Sequence, residues 1–189
     1  MTYNPRDRYF RKAKEEGFAA RSVFKLEEID KKYKIFKPGQ TVLDLGASPG
    51  SWSQYSSQKV GDKGRVLGVD LSPVTVKLKN AVFIQADLRD LNLEEIFKEH
   101  GFTPPFDLVL SDMAPKTTGI RMTDQARSLE LCELALDVAR RFLKKDGHFV
   151  CKLFHSDDFA KLREEIKKSF PSNFSSEELS DDGRKREAP

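Results

Sequence analysis

The 189-residue chain is short of several things, and each shortage removes a class of protein. It has two cysteines, Cys132 and Cys151. They are too few for a disulfide framework or a zinc cage, so both are expected to fill core in a reducing setting. His100, His148 and His155 have no metal-ligand spacing and are read as structural, so no metal is expected. No apolar run approaches the roughly 18 residues of a membrane span. The opening residues, MTYNPRDRYFRKAKEEG, lack the apolar centre of a secretory signal. A cytoplasmic protein with no membrane partner is expected. Two nucleotide motifs are also missing. Without G-x-G-x-x-G a dinucleotide is disfavoured, and without G-x-x-x-x-G-K-[ST] a nucleoside triphosphate is disfavoured.

What the chain does have is the stretch TVLDLGASPGSW, residues 41–52. A short apolar run carries Asp44 near its end, then Gly46 and Gly50 flank Pro49, and a helical pattern resumes. A strand that stops at a small-residue turn and feeds a helix lets backbone approach a nucleotide-like ligand closely. The form D-x-G-x-x-P-G is similar to an adenosylmethionine pocket. Asp44 is placed to receive backbone N–H groups of the turn or an amino group of the ligand.

Around this motif the pattern alternates. Strands are expected at Thr41–Leu45, Arg65–Asp70, Val82–Gln85, Phe106–Ser111 and His148–Leu153. Helices are expected at 20–34, Ser51–Val60, Leu93–His100, Asp124–Leu143 and Ser156–Phe170, where apolar residues recur on one face. Strands alternating with helices imply an α/β fold, a parallel sheet with helices on both faces. The organisation reads as a basic N-terminal arm, 1–19, a catalytic-type domain, 20–170, and a polar, irregular tail, 171–189. The first 40 residues hold eleven Lys/Arg against six Asp/Glu. That local surplus suggests a polyanion partner, although mixed charge on a solvated helix gives the same count.

In such sheets ligands sit beyond the carboxyl ends of the strands. The polar residues there are Asp44, Asp70, Asp87, Asp112 and Lys152. Asp70 is placed to accept ribose hydroxyls, or else to cap the turn at Ser72. Asp87 is placed to accept from an adenine amino group, or else to cap the following helix. Asp112, in SDMAP, would lie near a reacting methyl and a positive sulfonium. Lys152 sits among Val150, Cys151, Leu153 and Phe154, and lysine is rarely buried without a partner. Trp52 reads as packing at a helix start. Lys25, taken alone, reads as surface charge.

With these segments in view, the chain resembles the FtsJ/RrmJ family of ribose 2′-O-methyltransferases over about residues 7–170. The resemblance is carried by ARSVFKLEEID, FKPGQTVLDLGASPGSWSQY, LSDMAP with SLELCELALDVA, and HFVCKLF. It implies a seven-stranded Rossmann-like sheet, S-adenosylmethionine as cofactor, and RNA as substrate, most of all a uridine of large-subunit rRNA. The family's Lys-Asp-Lys-Glu tetrad falls on Lys25, Asp112 and Lys152, and its fourth member on Glu187 in GRKRE, with Glu177 and Glu178 in SSEE as the poorer match. The resemblance places cofactor contacts on Gly50, Trp52, Asp70, Asp87 and Asp112, and Asp44, Gly46 and Ser51 of the glycine turn are expected to join them. Two departures are visible. Lys116 stands where relatives usually have asparagine, and no final apolar strand follows the tail, so the sheet is expected to lack its antiparallel edge.

The expected chemistry is in-line methyl transfer, with Lys152 as base, Asp112 orienting, and Lys25 fixing the hydroxyl or a neighbouring phosphate. A monomer is expected, with Tyr3, Tyr9 and Phe10 stacking on bases or packing the first helix. The alternatives are a tRNA 2′-O-methyltransferase and a non-catalytic RNA-binding ribosome-assembly protein that keeps the pocket.

Overall fold

A computed structural model of the chain describes residues 5–153 and 159–170. Among them, helices α1 (Pro5–Glu15) and α2 (Val23–Tyr33) precede β1 (Thr41–Leu45), α3 (Ser51–Val60), β2 (Arg65–Asp70) and β3 (Ala81–Gln85). Then come α4 (Leu93–Glu99), β4 (Phe106–Ser111), α5 (Arg121–Phe142), β5 (Leu143–Cys151) and α6 (Phe159–Ser169). The strands form one sheet in the order β3-β2-β1-β4-β5, and every pairing is parallel. The chain runs outward from β1 to β3 and then crosses to β4. The order therefore switches at β1 and β4, where a crevice opens beyond the carboxyl ends of both strands.

Successive strand residues face opposite layers. Val42, Val66, Leu108 and Leu110 pack with Val23, Leu26, Trp52, Tyr55 and Val60 from α2 and α3. Leu43, Leu45, Leu67, Val69 and Val109 pack with Phe97, Ala135, Val138, Ala139 and Phe142 from α4 and α5. Phe97 centres the second layer, meeting Phe106 and Phe142 edge-on, each at 5.0 Å between ring centroids. Helix α6 covers α5 through Leu162, Cys132 and Leu136.

β1, β2, β4 and α3 fall where the sequence places them. Four expectations are corrected. The N-terminal arm contains helix α1: Pro5 suits a first helical position, Ala13 is buried, and Tyr9 packs on Phe24 at 5.7 Å. α5 begins at Arg121, three residues before Asp124. β5 starts at Leu143, inside the expected helix end, and stops at Cys151. Its pairing slips between Phe106↔Leu143 and Leu108↔His148, so the intervening residues bulge. Gly147 makes that possible, because a Cβ there would come within 2.7 Å of the Asp107 carbonyl oxygen. Finally, β3 and β5 border a sheet of five strands among the described residues, against seven implied by the resemblance. Tyr3, His155, Glu187 and the whole tail lie outside the described residues.

Candidate active site

The glycine turn is a left-handed backbone. Gly46 has φ 78° and Gly50 φ 118°, conformations that a Cβ disfavours. The space that these glycines leave is used by neighbouring segments. A Cβ on Gly46 would lie 2.7 Å from Met113 Cγ and 2.8 Å from Met113 Cα. A Cβ on Gly50 would run into the side chain of Val76. The glycines thus draw the loop after β4 and the coil after β2 onto the turn, a role beyond simple ligand access. Asp70 ties the same parts together. Its Oδ2 accepts the Ser48 N–H at 2.9 Å and its Oδ1 accepts the Ser72 N–H at 2.7 Å. Each oxygen keeps a further lone pair.

Asp44 lies beneath the turn and is fully buried. Its Oδ2 accepts the Ser53 hydroxyl at 2.5 Å, while Oδ1 has no hydrogen-bond partner among the described residues. Burial pushes its carboxyl up to about 7, with repulsion from Asp112 and Asp70 adding to the effect and the Ser53 hydroxyl opposing it. An orphaned buried oxygen on a reluctant carboxylate is a receptor for a cationic donor.

Helix α2 is docked onto the start of α3. The Ser22 and Ser51 hydroxyls are hydrogen-bonded at 3.0 Å, and Trp52 Nε1 donates to the Ser22 carbonyl at 3.0 Å. The Gln54 side chain bridges Gly17 and Ala19. These contacts carry the first turn of α2, with half-buried Lys25, to the glycine-turn end of the sheet. Ser51 and Trp52 take part in this packing: Trp52 is buried and its N–H is already used.

Across the crevice, Asp112 follows β4 and Lys152 follows β5. Lys152 Nζ donates to Asp112 Oδ1 at 2.5 Å, and the Lys152 backbone N–H donates to the Ser111 carbonyl at 2.9 Å. The Asp112 N–H donates to the Leu45 carbonyl at 3.2 Å, fixing this pair beside β1. Behind it, Cys132 Sγ and Cys151 Sγ lie 2.9 Å apart, and Cys132 donates to the Lys152 carbonyl at 3.0 Å. Lys152 thus has the acidic partner that its apolar flanks demanded.

Asp87 stands further out, at the end of the β3 loop. Arg89 grips it through Nε at 2.9 Å and Nη2 at 2.5 Å, and this side-chain bonding pulls the carboxyl down to about 2. The helix-cap alternative is excluded, since α4 is capped by Asn92. A cavity of about 540 Å³, lined in part by Lys37, Asp107, Lys144 and His148, lies at the amino ends of β1 and β4 and so away from this chemistry. Among the described residues no cluster of His, Cys, Asp or Glu is arranged to hold a metal, and no helix is long and apolar enough to cross a membrane. The sequence reading missed Ser22 and Ser53. A hydroxyl beside a helix start carries no periodic signal, and only the fold shows what it meets.

A family model described as FtsJ-like methyltransferase matches residues 18–177. A ribosomal RNA large subunit methyltransferase E from Bdellovibrio bacteriovorus is 88% identical over 170 residues, covering 90% of this chain and 87% of that protein. The protein of that name from Syntrophobacter fumaroxidans is 51% identical, covering 90% of this chain and 86% of its own length. Among solved structures, a Plasmodium falciparum protein described as a ribosomal RNA methyltransferase superposes with a TM-score of 0.69 at 26% identity, covering 80% of this chain and 86% of that one. Aeropyrum pernix fibrillarin, at a TM-score of 0.50 and 20% identity over 71% of this chain and 56% of its own, shares the fold. By the matched family model and by these identities, the chain belongs to the FtsJ-like methyltransferase family.

Proposed function

We infer that this protein transfers a methyl group from S-adenosylmethionine to a ribose 2′-hydroxyl of large-subunit ribosomal RNA. The observation that carries this is the Lys152–Asp112 pair, held over β1 beside the glycine turn. S-adenosylmethionine supplies an electrophilic methyl carbon on a sulfonium. The residues present suit it. Asp44 Oδ1 would receive the amino group, Asp70 has lone pairs left for ribose hydroxyls, and Asp87 remains an acceptor for an adenine amino group. Gly46 and Gly50 shape the turn that places these carboxylates.

Lys152 takes the proton of the ribose hydroxyl at Nζ as the new bond forms. A base at this position acts as the neutral amine, and the hydrogen bond to Asp112 positions it. Lys25, on the first turn of α2, steadies the hydroxyl or its neighbouring phosphate. The basic faces of α1 and α2 contact the RNA backbone, so affinity falls as salt rises. Phe10 is 62% exposed and free to stack on a base, whereas Tyr9 is taken up by Phe24. The substrate is the ribosomal subunit and the enzyme acts as a monomer in the cytoplasm.

The test is Lys152→Ala. Methyl incorporation into unmethylated large subunits should fall by about 10²–10⁴, the range for loss of a general base. Cofactor affinity, measured by calorimetry, should stay within about threefold. Normal turnover in the variant would remove Lys152 from the mechanism, and mapping the methylated ribose in the wild type identifies the acceptor.

A further inference from the structure

Between Asp112 and α5 the chain leaves two large apolar side chains in water. Ile120 is 63% exposed and Met122 81%. Isolated exposed apolar residues are ordinary. These two lie within three positions of each other, on a segment fixed at both ends. At the near end, Met113 sits against Gly46 in the space where a Cβ would stand. At the far end, the buried Asp124 carboxylate accepts the Thr118 N–H at 2.7 Å, the Thr118 hydroxyl at 2.9 Å and the Gly119 N–H at 3.2 Å. The Ile120 N–H closes the turn by donating to Thr118 Oγ1 at 3.2 Å. Exposed Lys116 precedes the apolar pair, and exposed Arg121 lies between its two members in sequence. The segment leaves β4 immediately after Asp112, so it forms a lip of the crevice that holds Lys152.

Exposed cations interleaved with exposed apolar side chains match a nucleic-acid strand, which offers phosphates and bases in alternation. Prior fixation matters too, because a surface already ordered loses little entropy on binding. Resting on the RNA substrate inferred above, we propose that Lys116–Met122 is a preformed RNA-contact ledge: Ile120 and Met122 pack against the face of an unpaired base next to the acceptor ribose, and Lys116 and Arg121 take the flanking phosphates. Asp124 is the positioning residue that sets the ledge.

The experiment uses the full chain loaded with S-adenosylmethionine and unmethylated large ribosomal subunits. Subunit affinity is measured by filter retention, and methyl transfer is followed against subunit concentration. The double variant Ile120→Ser/Met122→Ser should raise both Kd and KM for subunits about tenfold. Its kcat should stay within about threefold, and its cofactor affinity and melting temperature should match wild type. Lys116→Ala and Arg121→Ala should each reduce the slope of log affinity against log salt by about one. Asp124→Ala should raise KM as the double variant does, and Asp124→Asn, which keeps one acceptor oxygen, should recover part of the loss. A double variant with Kd and KM within twofold of wild type overturns the proposal. Wild type that binds subunits but transfers no methyl refutes the activity, while the binding comparison still decides the ledge. Wild type that binds no subunits refutes both.

Discussion

Replacing Asp44 by asparagine should stabilise the ligand-free protein in alkali and destabilise it in acid. The buried carboxyl is held at about 7, against 3.8 for the free group. Below pH 3.8 it is protonated folded or unfolded and costs nothing. Between 3.8 and 7 the unfolded chain releases the proton while the folded chain keeps it, so stability falls by about 1.4 kcal/mol per pH unit. Above 7 both states are ionised and the penalty levels off at about 4 kcal/mol. Asparagine still accepts from Ser53 but buries an amide N–H₂ without a partner, at about 1–3 kcal/mol. The variant should therefore gain about 1–3 kcal/mol at pH 8 and lose up to about 2 kcal/mol at pH 4.5, changing sign between about pH 4.5 and 6. Urea unfolding of both cofactor-free proteins at pH 4.5 and 8 measures this. A stability difference that is the same at the two pH values refutes the reasoning. The same substitution should weaken cofactor binding, since the orphaned oxygen becomes a poorer receptor for a cation.

Other substitutions separate packing from chemistry. Gly46→Ala and Gly39→Ala both force an L residue to positive φ, costing about 1–2 kcal/mol each. Only the Gly46 change meets the Met113 backbone, so it alone should lower methyl transfer, by at least about tenfold if a displacement of about 1 Å reaches Asp112. Equal activity in the two variants would show that Met113 yields without cost. Asp30→Ala strands the Tyr55 hydroxyl and the Phe36 N–H, which Asp30 accepts at 2.9 and 3.2 Å, and removes the partner of Lys59 at 3.3 Å. Denaturant unfolding should register a loss of about 3 kcal/mol. A loss under about 1 kcal/mol would mean that water satisfies the site.

The central strands were legible because burial on both faces leaves continuous apolar runs, as in LVLS of β4 and VLDL of β1. The strand-end aspartates were legible for the same reason, since a charge closing such a run has few structural uses. β5 was harder to read. Leu143 continues the apolar face of α5, and LKKDG reads as a helix end followed by a turn, because the bulge at Gly147 is decided by contact with β4. α1 was hidden by its composition, as its docking rests on few apolar residues such as Ala13. Asp124 reads as a helix start, yet its carboxylate reaches back to Thr118 and Gly119. That role depends on where the preceding loop returns, which no local pattern encodes.

The switch in strand order has a consequence for how the chain is made. β1 gains its β2 neighbour soon after it is synthesised, but its other neighbour, β4, emerges only after β2, β3 and α4. Until then one side of β1 is bare backbone. Docking of β4, and then of β5, covers that side and brings Lys152 to Asp112 in the closing steps of assembly. A nascent chain that has released β1 to β3 owns Asp44 and Asp70 but neither Asp112 nor Lys152. The Lys152–Asp112 contact thus waits for β5, the last strand to arrive among the described residues.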